Sequence, residues 1–369
     1  MAAVFAAGYH GPPELTPARA LTEWMLDPWA LALLVLVGVL YLAGVRRVRR
    51  SGGSWPAGRV IAFCGGAIGI GVLVTCSSLA VYWPVLFYMR AIQTVLLLLV
   101  VPLFAALGRP LSLIIAAAPE LGRRLLAVIS GRVARALTFP AVVAFVLVLT
   151  PFVLYFSPWY QAGFDSIAVR ELTCLILVMP GLVFFWTLLR VDPVPKSYPY
   201  LLSLWVTAAE VVGDAALGLA LITDRTLVAG AHYHALGRPW GPTLAMDQLY
   251  GGGVLWILGD IVGLPFLAAV LIAMIREDES EARTVDAELD AADAAAAGGA
   301  AGADQRAGAD QRAGADQRAG ADQRAGADQG ARIDQVAAGP PQKPWWQSDP
   351  RFVGRFEAIE HPEGDQAGS

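Results

Sequence analysis

The stretch YMRAIQTVLLLLVVPLF, Tyr88–Phe104, is apolar almost throughout, yet it carries Arg90 two residues in. With its flanks, 86–107, it is long enough to cross a hydrocarbon core of about 30 Å as a helix rising about 1.5 Å per residue. A charged side chain in such a helix is costly unless it is paired or close to an end. The stretch therefore implies a membrane-spanning helix and a partner for Arg90.

Six further runs resemble it, giving candidate spans at 28–45, 58–82, 86–107, 138–157, 167–190, 199–222 and 251–275. The chain of 369 residues is 56% hydrophobic and only 16% charged, where a soluble domain carries about a quarter charged residues. The fold class expected is all-α: a polytopic membrane protein of seven transmembrane helices. A shorter apolar piece at 110–118 cannot span and reads as interfacial or re-entrant.

Arginines gather in alternate loops: Arg46, Arg47, Arg49, Arg50 and Arg59 after the first span; Arg109, Arg123, Arg124, Arg132 and Arg135 after the third; Arg190 and Lys196 after the fifth. The positive-inside rule then puts the N-terminus out and the C-terminus in. The organisation expected is an extracytoplasmic segment 1–27, a membrane domain 28–280 and a cytoplasmic tail 281–369. With its basic residues spent on loops, the chain offers no single basic surface for nucleic acid. No basic n-region precedes a short apolar stretch, so no cleaved signal peptide is expected. From Ala301 the tail repeats AGADQR, a unit with no large apolar side chain, which reads as disordered. Trp345 and Trp346, after a proline-rich lead, read as a recognition segment, an interfacial anchor or an unstructured end.

Ionisable groups within the spans are few. Arg90, Arg170, Glu171, Glu210, Asp214 and Asp260 fall at similar depths. Glu210 and Asp214 are four apart and so share a helix face. Together they suggest a polar cluster opening outward; the plain alternative is that the arginines snorkel to the headgroups. His232 and His234 form an HxH pair in an outer loop, a weak metal candidate. Met89, Cys76 and Cys174 are soft donors of the kind Cu(I) takes, although Met and Cys in spans ordinarily serve packing. The stretch MDQLYGGGVLWILGD, Met246–Asp260, sets Asp247 and Gln248 before Gly251, Gly252 and Gly253, with Trp256 and Asp260 one turn apart. Three glycines permit a sharp turn and close backbone approach at the start of the last span; the alternative is helix packing.

That stretch resembles the final span of the CtaG family, assembly factors for cytochrome c oxidase. PLFAALGRPLSL, PGLVFFWTLLRVDPVP and ALGLALI resemble other segments of the family in the same order, over about residues 28–280. The resemblance implies a seven-span bundle in the plasma membrane that is not an enzyme. It also implies a role in copper delivery to the oxidase, with oxidase subunits or another copper-handling protein as partners. The family's membrane histidines would fall here on Arg90 and Thr94, on Arg170 and Cys174, and on Asp214. No span of this chain contains a histidine, and a guanidinium cannot ligate a metal. Arg90 and Arg170 are therefore expected to pair with Asp214, helped by Glu210 or Glu171. Direct copper ligation is in doubt, and copper is expected only through the resemblance. Two readings from other classes remain: a small-solute or anion transporter using an outward Arg/Asp/Glu pocket, and a membrane enzyme, for which no nucleophile–base set is found.

Overall fold

The computed structural model describes residues 9–194, 198 and 200–322. Lys196, Trp345 and Trp346 lie outside them. The described residues form helices and connections with no strand, and they divide into two units after Ala287.

The first unit starts with a one-and-a-half-turn helix, α1 (Pro17–Thr22), and then α2 (Pro28–Arg50). Asp27 caps α2 and Pro28 opens it, the pairing expected where a proline's missing N–H costs nothing. Helix α3 runs Ala57–Val60, continues through a π-helical stretch Ile61–Ile68, and ends as Gly69–Cys76. Ser77 breaks it and caps α4 (Ser78–Tyr82). Helix α5 runs Phe87–Val95, passes a second π stretch Leu96–Val100, and ends as Val101–Leu107.

The piece at 110–118 resolves as α6 (Pro110–Ala117), separated from α5 by Gly108 and by Arg109 in the left-handed region at φ 53°. The corner is held from two sides. The Tyr41 hydroxyl donates to the Gly108 carbonyl at 2.8 Å, and the Asp192 carboxylate accepts from the backbone N–H groups of Leu111 and Ser112 at 3.1 and 2.9 Å. Amphipathic α7 (Pro119–Ile129) and α8 (Arg132–Leu137) follow.

Helices α9 (Pro140–Phe156) and α10 (Trp159–Asp165) meet at a bend of 63°. They are followed by α11 (Ile167–Leu189), α12 (Tyr200–Thr223), α13 (Gly230–Leu236) and α14 (Leu244–Asp322). By length and apolarity six helices of the described residues can cross a membrane, or seven if α9 and α10 form one span. The protein is a multi-pass membrane protein.

Between helices in lipid there is no hydrophobic drive, so close packing through small residues matters most. At Gly181 of α11 an added Cβ would overlap the Leu98 carbonyl of α5. Gly218 of α12 and Gly252 of α14 face each other, each blocked by the other's carbonyl oxygen at 2.6 and 2.8 Å from an added Cβ. Phe184, Phe185 and Phe266 pack around the same core, Phe185 edge-on to both others, with Phe185 and Phe266 centroids 5.0 Å apart. The outside of α2 is apolar where it is exposed, at Val35, Leu36, Val39 and Leu40.

Two expectations are corrected. The glycines Gly251, Gly252 and Gly253 make no turn: they stand inside α14, which begins at Leu244, and two of them admit neighbouring helices. The repeats are helical through Asp322, where a structureless tail was expected. Alanine is the best helix former, and the unit contains no β-branched residue to oppose it.

Candidate functional site

The ionisable residues of the spans do not form one cluster. They fall into two groups of different chemistry.

The first lies at the end of the bundle where α2, α5 and α11 begin. Ser166 caps α11 by accepting from the Val169 N–H, which places Arg170 in the first full turn. The Arg170 guanidinium donates to Asp27 Oδ2 at 2.9 Å and to Glu171 Oε1 at 3.0 Å. Asp27 Oδ1 meanwhile accepts from the Trp29 and Ala30 backbone N–H groups. Asp27 is thus both a helix cap and a counter-ion, and it is only 6% exposed. Arg90, 5% exposed, donates to Gln93 Oε1 at 3.2 Å and lies 5.1 Å from the Trp83 ring centroid. Gln93 is fixed in turn by donating to the Val74 carbonyl.

Arg90, Arg170, Asp27, Glu171, Gln93 and Cys174 share a pocket of about 20 Å³, room for about one water-sized occupant. Two guanidiniums and two carboxylates line it, so their formal charges cancel. The expected pairing of Arg90 and Arg170 with Asp214 or Glu210 is not found. The acid that holds Arg170 comes from the N-cap of α2, which begins at the same level, not from α12. Thr94 turns away: its hydroxyl bonds the Arg90 carbonyl and the Tyr155 hydroxyl.

The second group lies on the α12–α14 face. Glu210 and Asp214, 2% and 9% exposed, sit within side-chain hydrogen-bonding reach of each other, with Asp260 as the third acid nearby and, among the described residues, no cation beside them. They face glycines. An added Cβ at Gly259 would overlap Asp214 Oδ2, and one at Gly263 would lie 3.2 Å from Glu210 Oε2. Asp260 Oδ1 is buried without a hydrogen-bond partner among the described residues.

Asp247 and Gln248 act as clamps. The Asp247 carboxylate accepts from the Phe87 and Tyr88 N–H groups at the start of α5, both at 3.1 Å, and from Arg238 at 3.3 Å. A carboxylate at a helix N-terminus is favoured by the helix dipole. Gln248 accepts from the Val228 N–H and donates to the Leu221 and Thr226 carbonyls, tying down the loop after α12. Trp256 backs onto Gly218.

The histidines separate. The His232 ring bonds the Pro84 carbonyl at 2.9 Å and stacks on Phe164 at 3.7 Å, while His234 is exposed. Tyr233 between them is buried, hydroxyl to hydroxyl with Tyr160 at 2.8 Å, and burial pushes its hydroxyl well above the ordinary phenol range. Among the described residues no group of three or more His, Cys, Asp or Glu is placed to hold a metal ion. Asp27, Trp83, Gln93 and Arg238 were not singled out in the sequence. The Asp-Pro pair at 27–28 is a helix-start signature that could have pointed to Asp27.

The model of the cytochrome c oxidase caa3 assembly factor family, Caa3_CtaG, matches residues 39–277. The chain belongs to that family. The chain is also 29% identical over 292 residues to uncharacterized proteins of Mycobacterium bovis and Mycobacterium tuberculosis, and 25% identical over 291 residues to one of Mycobacterium leprae. Those matches take in 77% of this chain and 44% of each relative, so the chain spans less than half the length of the curated relatives it matches. No solved structure matches it. Its membrane bundle lies almost wholly within the family match, as do both polar groups apart from Asp27.

Proposed function

We propose that this chain serves cytochrome c oxidase maturation in the plasma membrane by contact with an oxidase subunit or a copper-handling partner, and does not itself ligate copper at the Arg90–Arg170 pocket. The observation that carries this is the donor set. Among the described residues, the soft donors lining the pocket are the sulfurs of Cys174 and Met25. They share its walls with two guanidiniums, which repel a metal cation and cannot coordinate it. The carboxylates that could attract a cation are occupied, Asp27 by Arg170 and two backbone N–H groups, Glu171 by Arg170. The role read here is non-catalytic: the Cys174 thiol shares the pocket with Glu171, but that carboxylate is held by Arg170 and is not free to act as a base.

The test is a deletion strain. Membranes lacking this chain should show reduced oxidase content and copper loading, restored by the wild-type gene and equally by Cys174→Ser. Purified protein should carry copper well below one equivalent, unchanged by Cys174→Ser or by joint replacement of His232 and His234. Stoichiometric copper that disappears in Cys174→Ser would overturn the absence of ligation. Normal oxidase in the deletion strain would overturn the role.

A further inference from the structure

A third polar feature lies at the other end of α2 and belongs to neither group described above. Helix α2 ends in Arg46, Arg47, Arg49 and Arg50. Arg46 and Arg47 are exposed, and neither has a carboxylate within 4 Å among the described residues. Below Arg47 an apolar groove of about 520 Å³ opens between α2 and α6, with Val37, Leu40, Gly44, Leu113 and Ile114 in its walls. It runs from Val37 to Arg47 along α2, ten residues and about 15 Å of helix axis, close to the depth of one leaflet of a core about 30 Å thick.

Helix α7 closes the charged end. Leu121 of α7 lines the same groove. One turn on, Arg124 is exposed on the side of α7 that Leu121 occupies. Leu121 and Val128, both at least half exposed, form an apolar flank beside the arginines. An apolar flank next to a basic face suits a helix lying in the headgroup plane. The acid on α7, Glu120, is taken by Arg123.

From this geometry we propose that the α2–α6 groove binds an anionic phospholipid, with one acyl chain in the groove and the headgroup phosphate on Arg47 and Arg124. The apolar walls admit any acyl chain; the selectivity comes from the cationic rim. A guanidinium engages phosphate oxygens bidentately. An arginine near an anionic surface contributes about 1 kcal/mol, which corresponds to about a fivefold change in affinity. The inference is independent of the proposed role in oxidase maturation.

The experiment uses the purified full-length chain in neutral detergent. Phosphatidylglycerol and phosphatidylcholine of the same acyl length are titrated separately, and binding is read by native mass spectrometry and thermal stability. Phosphatidylglycerol should bind at least fivefold more tightly. Arg47→Gln should weaken it about fivefold and leave phosphatidylcholine unchanged; Arg47→Lys should keep most of the preference. Ala43→Trp, which fills the groove from an exposed position, should weaken both lipids. Equal binding of the two lipids, or a preference indifferent to both Arg47→Gln and Arg124→Gln, overturns the proposal. So does protection by glycerol phosphate alone equal to that by the lipid, since the groove would then contribute nothing.

Discussion

The two polar groups inside the bundle solve the problem of charge in a membrane in different ways. In the pocket at the start of α2, cations and carboxylates come in equal number, and each acid is held by geometry: Asp27 by two backbone N–H groups and Arg170, Glu171 by Arg170. On the α12–α14 face the ionisable groups among the described residues are all acids, and the helix opposite provides glycines. The pocket spends its charges on one another. The acidic face makes room for its charges instead. Removing a charge should therefore destabilise the pocket and leave the acidic face nearly unchanged, while adding volume should do the reverse.

The largest effect is expected at Asp27. Asp27→Ala removes a cap and leaves Arg170 with Glu171 alone. Breaking a buried ion pair costs about 3–5 kcal/mol, and the low end applies because Arg170 is a quarter exposed and keeps one acid. Asp27→Asn preserves the cap, worth about 1 kcal/mol, and should be the milder change by that amount. Unfolding of the purified protein in mixed micelles measures both. If Asp27→Ala falls within about 0.5 kcal/mol of wild type, the ion pair holds nothing together.

Next comes Gly259→Ala. Its Cβ would overlap the Asp214 carboxylate, and overpacking of this kind costs about 1–3 kcal/mol. Asp214→Ala in the same chain should relieve most of the cost, so a double-mutant cycle should show coupling. Additive effects would mean that α12 and α14 do not press on each other at this point.

The spans were legible because apolarity over 18 or more residues is a contiguous property, and so was the family resemblance, which rests on local strings. The pairing of the ions was not. Arg90, Arg170, Glu210 and Asp214 announce themselves by standing in apolar runs. Which of them meet depends on how each helix is rotated about its axis, and a single sequence does not record that. Asp27 escaped notice because it sits just before a span and resembles a loop acid; the proline after it was the available sign. The glycines 251–253 misled for a related reason. Glycine favours both turns and close helix contact, and only the opposing Gly218 decides between them. The repeats show the limit of composition: lacking apolar surface excludes a packed core but does not exclude a helix.

Glu210→Gln tests the acidic face from the charge side. Among the described residues no cation neighbours Glu210, so no attraction is lost in the change, and a carboxyl–carboxyl hydrogen bond needs a proton on one partner, a donor that the Gln amide replaces. Stability should stay within about 1 kcal/mol of wild type, a scale set by one net hydrogen bond. A loss of more than about 2 kcal/mol would reveal a cation held there and would erase the contrast with the pocket.

The smallest effect is expected at Gly263→Ala, one turn beyond Gly259. Here the new methyl would lie 3.2 Å from Glu210 Oε2, a tight approach to the flexible end of a side chain. Alanine in place of glycine inside a helix gains up to about 1 kcal/mol, and shifting the Glu210 carboxyl by a few tenths of an ångström returns part of that. The net change should be a few tenths of a kcal/mol, and with Glu210→Ala in the same chain the helix gain should appear in full. Positions 259 and 263 share a helix face and differ mainly in what stands opposite. A large loss at both would mean that the helix pair itself, and not the carboxylate lodged at Gly259, sets the spacing of α12 and α14.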